Sequence, residues 1–134
     1  MKIIASGPVI IENGRLLVIK EPKDDFYKIP GGRIEGEESL EETCLREFSE
    51  ETGFRCRILK KLSTMRLDKN PQTGEPADIE LHHYQCELVN SPKDYKLFKH
   101  GEHEVRWIKL NELVNDKYPI APNIKFLVER GEIK

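Results

Sequence analysis

The sequence predicts one α/β or α+β domain over residues 1–134. Apolar runs with strand character recur along the chain, and two or three segments with helical patterning lie among them. A chain of this length can enclose one hydrophobic core, and no repeat, linker or low-complexity segment divides it. We therefore expect a single domain in which strands and helices share one core.

The first elements are predicted to be a hairpin and a sharp turn. Residues 2–20, KIIASGPVIIENGRLLVIK, contain two apolar runs joined at Asn13-Gly14, and Asn-Gly between apolar runs is a strong hairpin signal. Residues 26–32, FYKIPGG, predict a short strand that ends at Pro30 and two glycines. The chain should therefore reverse direction twice before its first helix.

Ser39 is predicted to open the first helix. Glu42, three residues on, completes a capping-box pattern, and Gly53 is a stop signal, so the helix should run to about Thr52. Beyond it, residues 54–67 predict a long or bent strand, 70–78 a turn-rich loop and 79–89 another strand. Alternation of strand and loop thus follows the helix.

The C-terminal third is predicted to contain a loop, a strand and two helices. The loop covers residues 90–103 and the strand residues 104–110. A short helix over residues 111–116 has Asn111 near its cap. The final helix, over residues 121–131, has Pro122 in its first turn and Gly131 at its end.

Composition excludes several classes of protein. The 22 Lys and Arg residues nearly balance 24 Asp and Glu, giving a net charge of −2 and no basic footprint for a nucleic acid polymer. No segment approaches the roughly 20 apolar residues of a membrane span, and the N-terminus lacks a signal-peptide pattern. Cys44, Cys56 and Cys86 are odd in number without CxxC spacing, which favours free thiols. We expect a cytoplasmic protein.

The stretch GGRIEGEESLEETCLREFSEETGF, residues 31–54, is crowded with glutamates. On a helix, Glu47, Glu50 and Glu51 stand at i, i+3 and i+4 and project from one face. Such a face is either solvated or holds a cation, because like charges at this spacing repel. Carboxylates suit Mg²⁺ or Mn²⁺. Arg46 lies one turn before Glu50 and can pair with it.

The spacing in this stretch favours the cation. It resembles the signature of the Nudix hydrolase family, GX5EX7REUXEEXGU with U a bulky apolar residue, and all nine fixed positions between residues 32 and 54 are filled. The resemblance is to MutT-like members. It implies an α/β/α sandwich in which a mixed β-sheet is flanked by helices, with the signature forming a loop, a helix and a second loop.

The resemblance also implies a metal site and catalytic groups. Glu47, Glu50 and Glu51 would be the main ligands, and Arg46 would orient them. The other implied ligands are Glu38, the Gly31 carbonyl and Glu102. The general base that takes a proton from water would be Glu50, Glu47 or a loop glutamate. For that loop residue we favour Glu102 over Glu104 because Gly101 suggests a loop able to close over substrate, and two plain surface charges are the alternative.

The implied substrate is a nucleoside diphosphate linked to another group, a small molecule. Lys20 and Arg33 match positions that contact phosphates in MutT-like members, although an ordinary surface cation is the alternative for each. Asn123, in YPIAPN, resembles an Asn that reads an oxidised purine, and capping of the last helix is the alternative. Tyr27 can stack on a base or pack in the core.

Two further histidines are interpreted as structural. His82 and His83 are adjacent on a predicted strand, so their side chains face opposite sides of the sheet and cannot share a metal. The sequence leaves the oligomeric state open between monomer and homodimer.

Among functions, a metal-dependent hydrolase of phosphoric anhydride bonds leads, as a MutT-like pyrophosphohydrolase of (d)NTPs or oxidised dNTPs. An ADP-ribose or nucleotide-sugar pyrophosphatase is the alternative. The non-enzyme alternative is a nucleotide-sensing module, but such modules usually lose signature carboxylates, and this chain keeps all of them.

Overall fold

The N-terminal hairpin forms as the sequence predicts. In the computed structural model, which describes residues 2–134, β1 (Lys2–Glu12) and β2 (Arg15–Lys20) pair antiparallel, with Glu12 opposite Arg15. Asn13 and Gly14 have φ angles of 52° and 72°. Two consecutive positive φ angles match the right-handed twist of the strands, which is why Asn-Gly is favoured at this position.

The hairpin is the centre of a mixed sheet. The other strands are β3 (Gly32–Arg33), β4 (Cys56–Lys61), β5 (Met65–Lys69), β6 (Pro76–Leu88), β7 (Phe98–His100) and β8 (His103–Lys109). The strand order is β4-β6-β1-β2-β8-β7, with β3 paired to β1 and β5 to β6. The β1–β6 pair is parallel and the other pairs are antiparallel.

Helices cover both faces of this sheet. They are α1 (Leu40–Thr52), α2 (Leu110–Val114) and α3 (Pro122–Glu129). Along β2, Leu16 and Val18 pack with residues of α3, whereas Leu17 and Ile19 pack with α1. Side chains alternate between the faces of a strand, so one β-hairpin supplies both core layers. The α/β/α sandwich with its mixed sheet is confirmed.

The first helix begins and ends at the predicted residues. The Ser39 side chain accepts a hydrogen bond from the Glu42 N–H at 3.0 Å, and the Ser39 N–H donates to the Glu42 carboxylate at 2.9 Å. Gly53 ends the helix with φ 77°, and its N–H donates to the Ser49 carbonyl. These caps satisfy backbone groups that a helix otherwise leaves unpaired at its ends. They fix the helix that carries the signature glutamates.

Two strand predictions need correction. The strand over residues 26–32 is absent: Tyr27 and Lys28 form only isolated bridges, to Ile120 and Ile19. Pro30 lacks an N–H for a ladder, and pairing resumes only after the turn, at β3. The long strand over residues 54–67 is divided into β4 and β5 at Leu62–Thr64, where the buried Leu62 side chain packs on the side of α3.

Three further boundaries differ from prediction. The loop over residues 90–103 contains β7, because Gly101, at φ 59°, lets the chain reverse between His100 and His103. The helix α2 begins at Leu110, and its N-cap is Lys109, not Asn111. The last helix begins at Pro122 with Ala121 as N-cap. Asn123 is therefore inside α3, and its interpretation as the cap is wrong.

Helix length and polarity also bear on membranes. Over residues 2–134, each helix is too short or too polar to cross a bilayer.

Candidate active site

The glutamates of α1 differ sharply in burial. Glu51 keeps only 5% of its surface exposed, whereas the Glu50 side chain is 58% exposed. Glu47 lies between them and approaches the backbone of Gly32. The exposed fraction of the side chain therefore varies along the predicted face of α1, from the buried carboxyl of Glu51 to the solvent-exposed carboxylate of Glu50.

Glu51 is held by the turn at Gly31. The Gly31 N–H donates to Glu51 Oε1 at 2.8 Å. Burial, with a smaller contribution from the charge of Glu47, raises the pKa of Glu51 to about 8, and the Gly31 hydrogen bond and Lys28 offset part of this rise. A buried carboxyl group with this pKa is largely neutral at pH 7 unless a cation joins it.

The turn itself is held by two close backbone approaches. A Cβ on Gly7 would lie 1.9 Å from the Pro30 carbonyl oxygen, and one on Gly31 would lie 2.6 Å from the Ser6 carbonyl oxygen. Gly31 also has φ 148°. Only glycine at positions 7 and 31 lets the turn lie directly on β1. A Cβ on Gly32 would meet the Glu47 carboxylate at 2.5 Å, so the turn and the glutamates are in contact.

Arg46 organises the rest of the glutamates. Its Nε and Nη2 donate to the two oxygens of Glu38 at 2.6 and 2.9 Å, and its Nη1 donates to Glu47 at 2.8 Å and to Glu50 at 3.3 Å. The predicted pairing of Arg46 with Glu50 is thus present. The hydrogen bonds from Arg46 hold the pKa of Glu38 down to about 2. This two-pronged geometry is a property of guanidinium.

The donor set suits a divalent cation. Among residues 2–134, no three His, Cys, Asp or Glu side chains already lie close enough to hold a metal. Glu38, Glu47 and Glu50 all accept hydrogen bonds from Arg46, whose guanidinium is the positive charge between them. Mg²⁺ needs few protein carboxylates because it keeps several waters. Burial and, to a smaller degree, the charge of Glu47 disfavour the ionised form of Glu51, and a bound cation would stabilise that form, so these oxygen donors fit a divalent ion.

A cleft of about 800 Å³ adjoins the turn. Its walls come from β1, β6, residues 25–26 and 28–33 and the start of α3. Phe26, Arg33 and Asn123 are among its lining residues. The β5–β6 loop contributes Asn70, Pro71 and Gln72 to the lining. Gly31 and Gly32 contact the glutamates and also line the cleft, so the cleft and the glutamates adjoin each other at this turn.

Other candidate residues lie away from the cleft lining. Tyr27 is buried in the core, and its hydroxyl donates to Glu104 and accepts from Arg106 Nε at 2.8 Å. The Lys20 ammonium lies over the Tyr27 ring, 5.2 Å from its centroid. Tyr27 therefore has the core packing that was its alternative, and Lys20 faces that ring.

Glu102 occupies a tight turn. It lies beside Gly101 between His100 and His103, which pair across the β7–β8 hairpin, and it is exposed. Within residues 2–134, no hydrogen bond or ion pair involves its carboxylate. Glu104 lies inside β8 and contacts Tyr27, in agreement with its predicted place at the strand start. The segment around Gly101, for which we predicted a loop able to close over substrate, is thus the turn of the β7–β8 hairpin.

His83, interpreted from the sequence as structural, lies at the cleft beside Asn123. Its side chain is only 1% exposed, it lines the cleft, and its Nε2 lies 3.0 Å from Asn123 Nδ2. His82 also lines the cleft, but its ring nitrogens lie 2.8 Å from Glu80 and within hydrogen-bond distance of Thr64 rather than of Asn123. The alternation of side chains along the strand could have drawn attention to His83. It shares a face with Ile79 and Leu81, so it is a polar residue among apolar ones.

Comparison with known proteins identifies the family. The NUDIX domain profile matches residues 2–128. The chain therefore belongs to the NUDIX family, as the signature at residues 32–54 indicated.

Relatives and solved structures agree with this assignment. A Bacillus subtilis protein named "Putative 8-oxo-dGTP diphosphatase YtkD" is 41% identical over 59 residues, which are 44% of this chain and 37% of the relative. A Lactococcus lactis protein named "Probable DHNTP pyrophosphohydrolase" is 28% identical over 100 residues, 66% of this chain and 60% of the relative. The matches thus span less than two thirds of either relative.

The fold has solved counterparts. The crystal structure of a MutT NUDIX hydrolase from Burkholderia pseudomallei superposes with a TM-score of 0.75 at 19% identity, covering 96% of this chain and 97% of the other. At this identity the likeness establishes the fold alone.

Proposed function

We propose that the protein is a pyrophosphohydrolase that depends on Mg²⁺ or Mn²⁺ and cleaves nucleoside triphosphates in a MutT-like way. One observation carries the proposal: the Gly31–Gly32 turn contacts Glu47 and Glu51 and also lines a cleft large enough for a nucleotide. A base in the cleft would leave its phosphates beside the carboxylates. The expected cleft size for small-molecule sites is several hundred Å³.

The metal ligands would be Glu47, Glu50 and Glu51, with Glu38 and the Gly31 carbonyl as further ligands. When bound, the divalent ion would neutralise the pyrophosphate and acidify a water. Arg46 would hold the carboxylates in place, since it already pairs with Glu38, Glu47 and Glu50. The turn at Gly31 would position Glu51.

Glu50 is the general base that we propose. The oxygen of water would add to one phosphorus of the anhydride, the bridging P–O bond would break, and the proton would pass to the Glu50 carboxylate. Glu50 is the most exposed of the three glutamates on its helix face and so the one open to water. Glu47 is the alternative base. Glu102, in its tight turn, is the third candidate.

The substrate class is proposed from the cleft and from relatives. Phe26 lines the cleft and can stack on a base, Asn123 can donate to and accept from a base edge, and Arg33 can meet phosphate. Both matched relatives carry names of enzymes that act on triphosphates, 8-oxo-dGTP and DHNTP. A (d)NTP or oxidised dNTP is therefore the favoured substrate.

The test is hydrolysis of a nucleotide panel with Mg²⁺, following release of pyrophosphate or phosphate. The panel holds dNTPs, oxidised dNTPs, ADP-ribose and a nucleotide sugar, compared for wild type, Glu50→Gln and Glu37→Gln. Glu50→Gln should lower kcat by about 10² or more, in line with loss of a general base. Glu37, an exposed glutamate in the same stretch, should be replaceable at full rate.

Three results would contradict the proposal. Wild type that releases nothing from the whole panel would favour a nucleotide-sensing module. Full activity of Glu50→Gln would remove Glu50 from catalysis. Turnover confined to ADP-ribose or the nucleotide sugar would keep the family activity and replace the substrate.

A further inference from the structure

His83 and Asn123 both line the cleft and contact each other through their side chains. His83 comes from the middle of β6 and Asn123 from the first turn of α3, forty residues later. Ser63, between β4 and β5, completes the group, because its carbonyl oxygen lies 2.8 Å from His83 Nδ1. Three separate segments therefore converge on one imidazole ring.

The hydrogen-bond partners determine the tautomer of His83. A carbonyl oxygen only accepts, so Nδ1 carries a proton and donates to Ser63. Burial lowers the pKa of His83, and the ring is neutral, which leaves Nε2 as an acceptor. The partner at Nε2 must therefore be a donor, and the Asn123 amide presents its nitrogen there at 3.0 Å.

Ser63 is itself held in place. Its N–H donates to Glu132 Oε1 at 2.8 Å, and its hydroxyl accepts from Arg130 Nε at 2.9 Å. The carbonyl that orients His83 thus belongs to a residue fixed from the C-terminal segment. A ring clamped at one nitrogen and 99% buried cannot turn to offer a different atom to Asn123.

The contact with His83 restricts how the rest of the Asn123 amide group can meet a ligand. One Nδ2 hydrogen is used by His83, and within residues 2–134 the Oδ1 atom accepts no hydrogen bond. An unrestrained amide can rotate by 180° and exchange donor and acceptor, so it pairs with bases of either pattern. With its nitrogen bound to His83, the Asn123 amide presents its acceptor and its remaining donor in one order only.

We infer that His83 is a specificity-determining positioning residue, which locks the Asn123 amide so that it selects nucleobases by the order of donor and acceptor along their edge. The edge selected is the lactam, an N–H beside a carbonyl, as in guanine-type bases. Adenine-type bases carry the opposite order, an amino donor beside a ring acceptor. This inference rests on the proposed nucleotide cleft, and the choice of lactam follows the proposed 8-oxo-dGTP-like substrate.

The test measures binding of the monophosphates 8-oxo-dGMP, dGMP and dAMP by calorimetry, without any hydrolysis. Wild type should prefer the guanine-type ligands by about tenfold, the value of one good hydrogen bond. His83→Leu should bring this ratio to within about threefold. His83→Gln, which retains an acceptor, should preserve most of the preference.

A double-mutant comparison separates positioning from packing. In an Asn123→Ala background, His83→Leu should leave the ratio unchanged, because the locked amide is already gone. Equal weakening of all ligands by His83→Leu, or a change in the ratio that persists without Asn123, would overturn the inference. Wild type that binds none of the monophosphates, shows no preference or prefers dAMP would overturn it too.

A second measurement needs no variant. Nitrogen NMR of the wild-type protein should show His83 protonated at Nδ1 and one Asn123 side-chain amide proton slowed in exchange. Absence of both signatures would contradict the lock even if the variants fail to fold. A protein that hydrolyses no nucleotide yet shows the lock and the preference would lose the proposed function and keep this inference.

Discussion

Glu51 is a carboxyl group that the fold buries before any cation arrives. Its surroundings raise its pKa to about 8, mainly through burial, and the charge of Glu47 adds to the effect. The Gly31 N–H is the hydrogen-bond partner that offsets part of this cost. A residue in this state is a poor stabiliser of the empty protein and a good ligand for an ion that can displace its proton.

The replacement Glu51→Gln should therefore change how stability depends on pH. Since the pKa of Glu51 is raised from 4.5 to about 8 on folding, the folded protein holds the proton that the unfolded chain releases between these values. The free energy of unfolding of the metal-free protein should fall as pH rises through this window, on the order of 2 to 4 kcal/mol. In Glu51→Gln this fall should disappear.

Urea denaturation with a chelator present, at pH 5 and pH 8, measures this directly. Glu37→Gln, which removes an exposed carboxylate from the same stretch, should keep the wild-type pH dependence. The same slope in wild type and Glu51→Gln would show that the Glu51 carboxyl is ionised in the empty fold.

At the scale of elements, the contact between β1 and the turn at Pro30–Gly31 sets the position of the site. Gly7 allows this contact, because a side chain there would overlap the Pro30 carbonyl. Ser6, its neighbour, fixes the same strand to α1 by donating its hydroxyl to the Leu40 carbonyl at 2.7 Å. One strand therefore aligns both the turn and the helix.

The replacement Gly7→Ala should move the turn away from β1. A Cβ at 1.9 Å from a carbonyl oxygen forces the backbone to shift, at about 1 to 3 kcal/mol of stability. Because Gly31 holds Glu51, we also expect kcat to fall by about tenfold or more, as a displaced catalytic group would cause. Denaturation and steady-state kinetics measure the two effects.

Gly14→Ala is the matched control. Gly14 has φ 72° at the far end of β1, with open space around it, so alanine there costs backbone strain but leaves the turn in place. It should lower stability and leave kcat unchanged. If Gly7→Ala lost stability but kept full activity, the β1 contact would not position the site.

At the scale of the whole molecule, binding of a divalent ion should raise the free energy of unfolding. A ligand that binds only the folded protein raises the free energy of unfolding by about 2.7 kcal/mol at a concentration 100 times its Kd. Mg²⁺ or Mn²⁺ should raise Tm more at pH 8 than at pH 6, because the ion must displace the Glu51 proton.

Thermal denaturation with MgCl₂ against NaCl of equal ionic strength tests this. Glu51→Gln should lose most of the Mg²⁺ shift. Glu87→Gln, which breaks the exposed pair with Arg57, should keep it. An equal shift in wild type and Glu51→Gln would place the ion away from α1.

Most of the fold could be predicted from local signals. Asn13-Gly14, Ser39 with Glu42, and Gly53 each act within a few residues, and the hairpin and α1 have the predicted bounds. The failures depend on distant partners. The strand β7 exists because it pairs with β8. Asn123 lies inside α3, which begins at Pro122, and its side chain contacts a histidine forty residues earlier in the chain.

The site divides in the same way. Spacing on one helix placed Glu47, Glu50 and Glu51 on a common face and paired Arg46 with Glu50, as the structure has them. Spacing could not show that Glu51 is buried and Glu50 exposed, because this difference arises from the turn that packs beside Glu47 and Glu51 and leaves Glu50 in solvent.

The hydrogen bond from Gly31 to Glu51 also makes one backbone amide sensitive to the charge of the Glu51 carboxyl. A single N–H proton points at a carboxyl group that changes ionisation near neutral pH. The chemical shift of the Gly31 amide should therefore follow the ionisation of Glu51. This amide is a reporter of the charge of the Glu51 carboxyl that needs no added label.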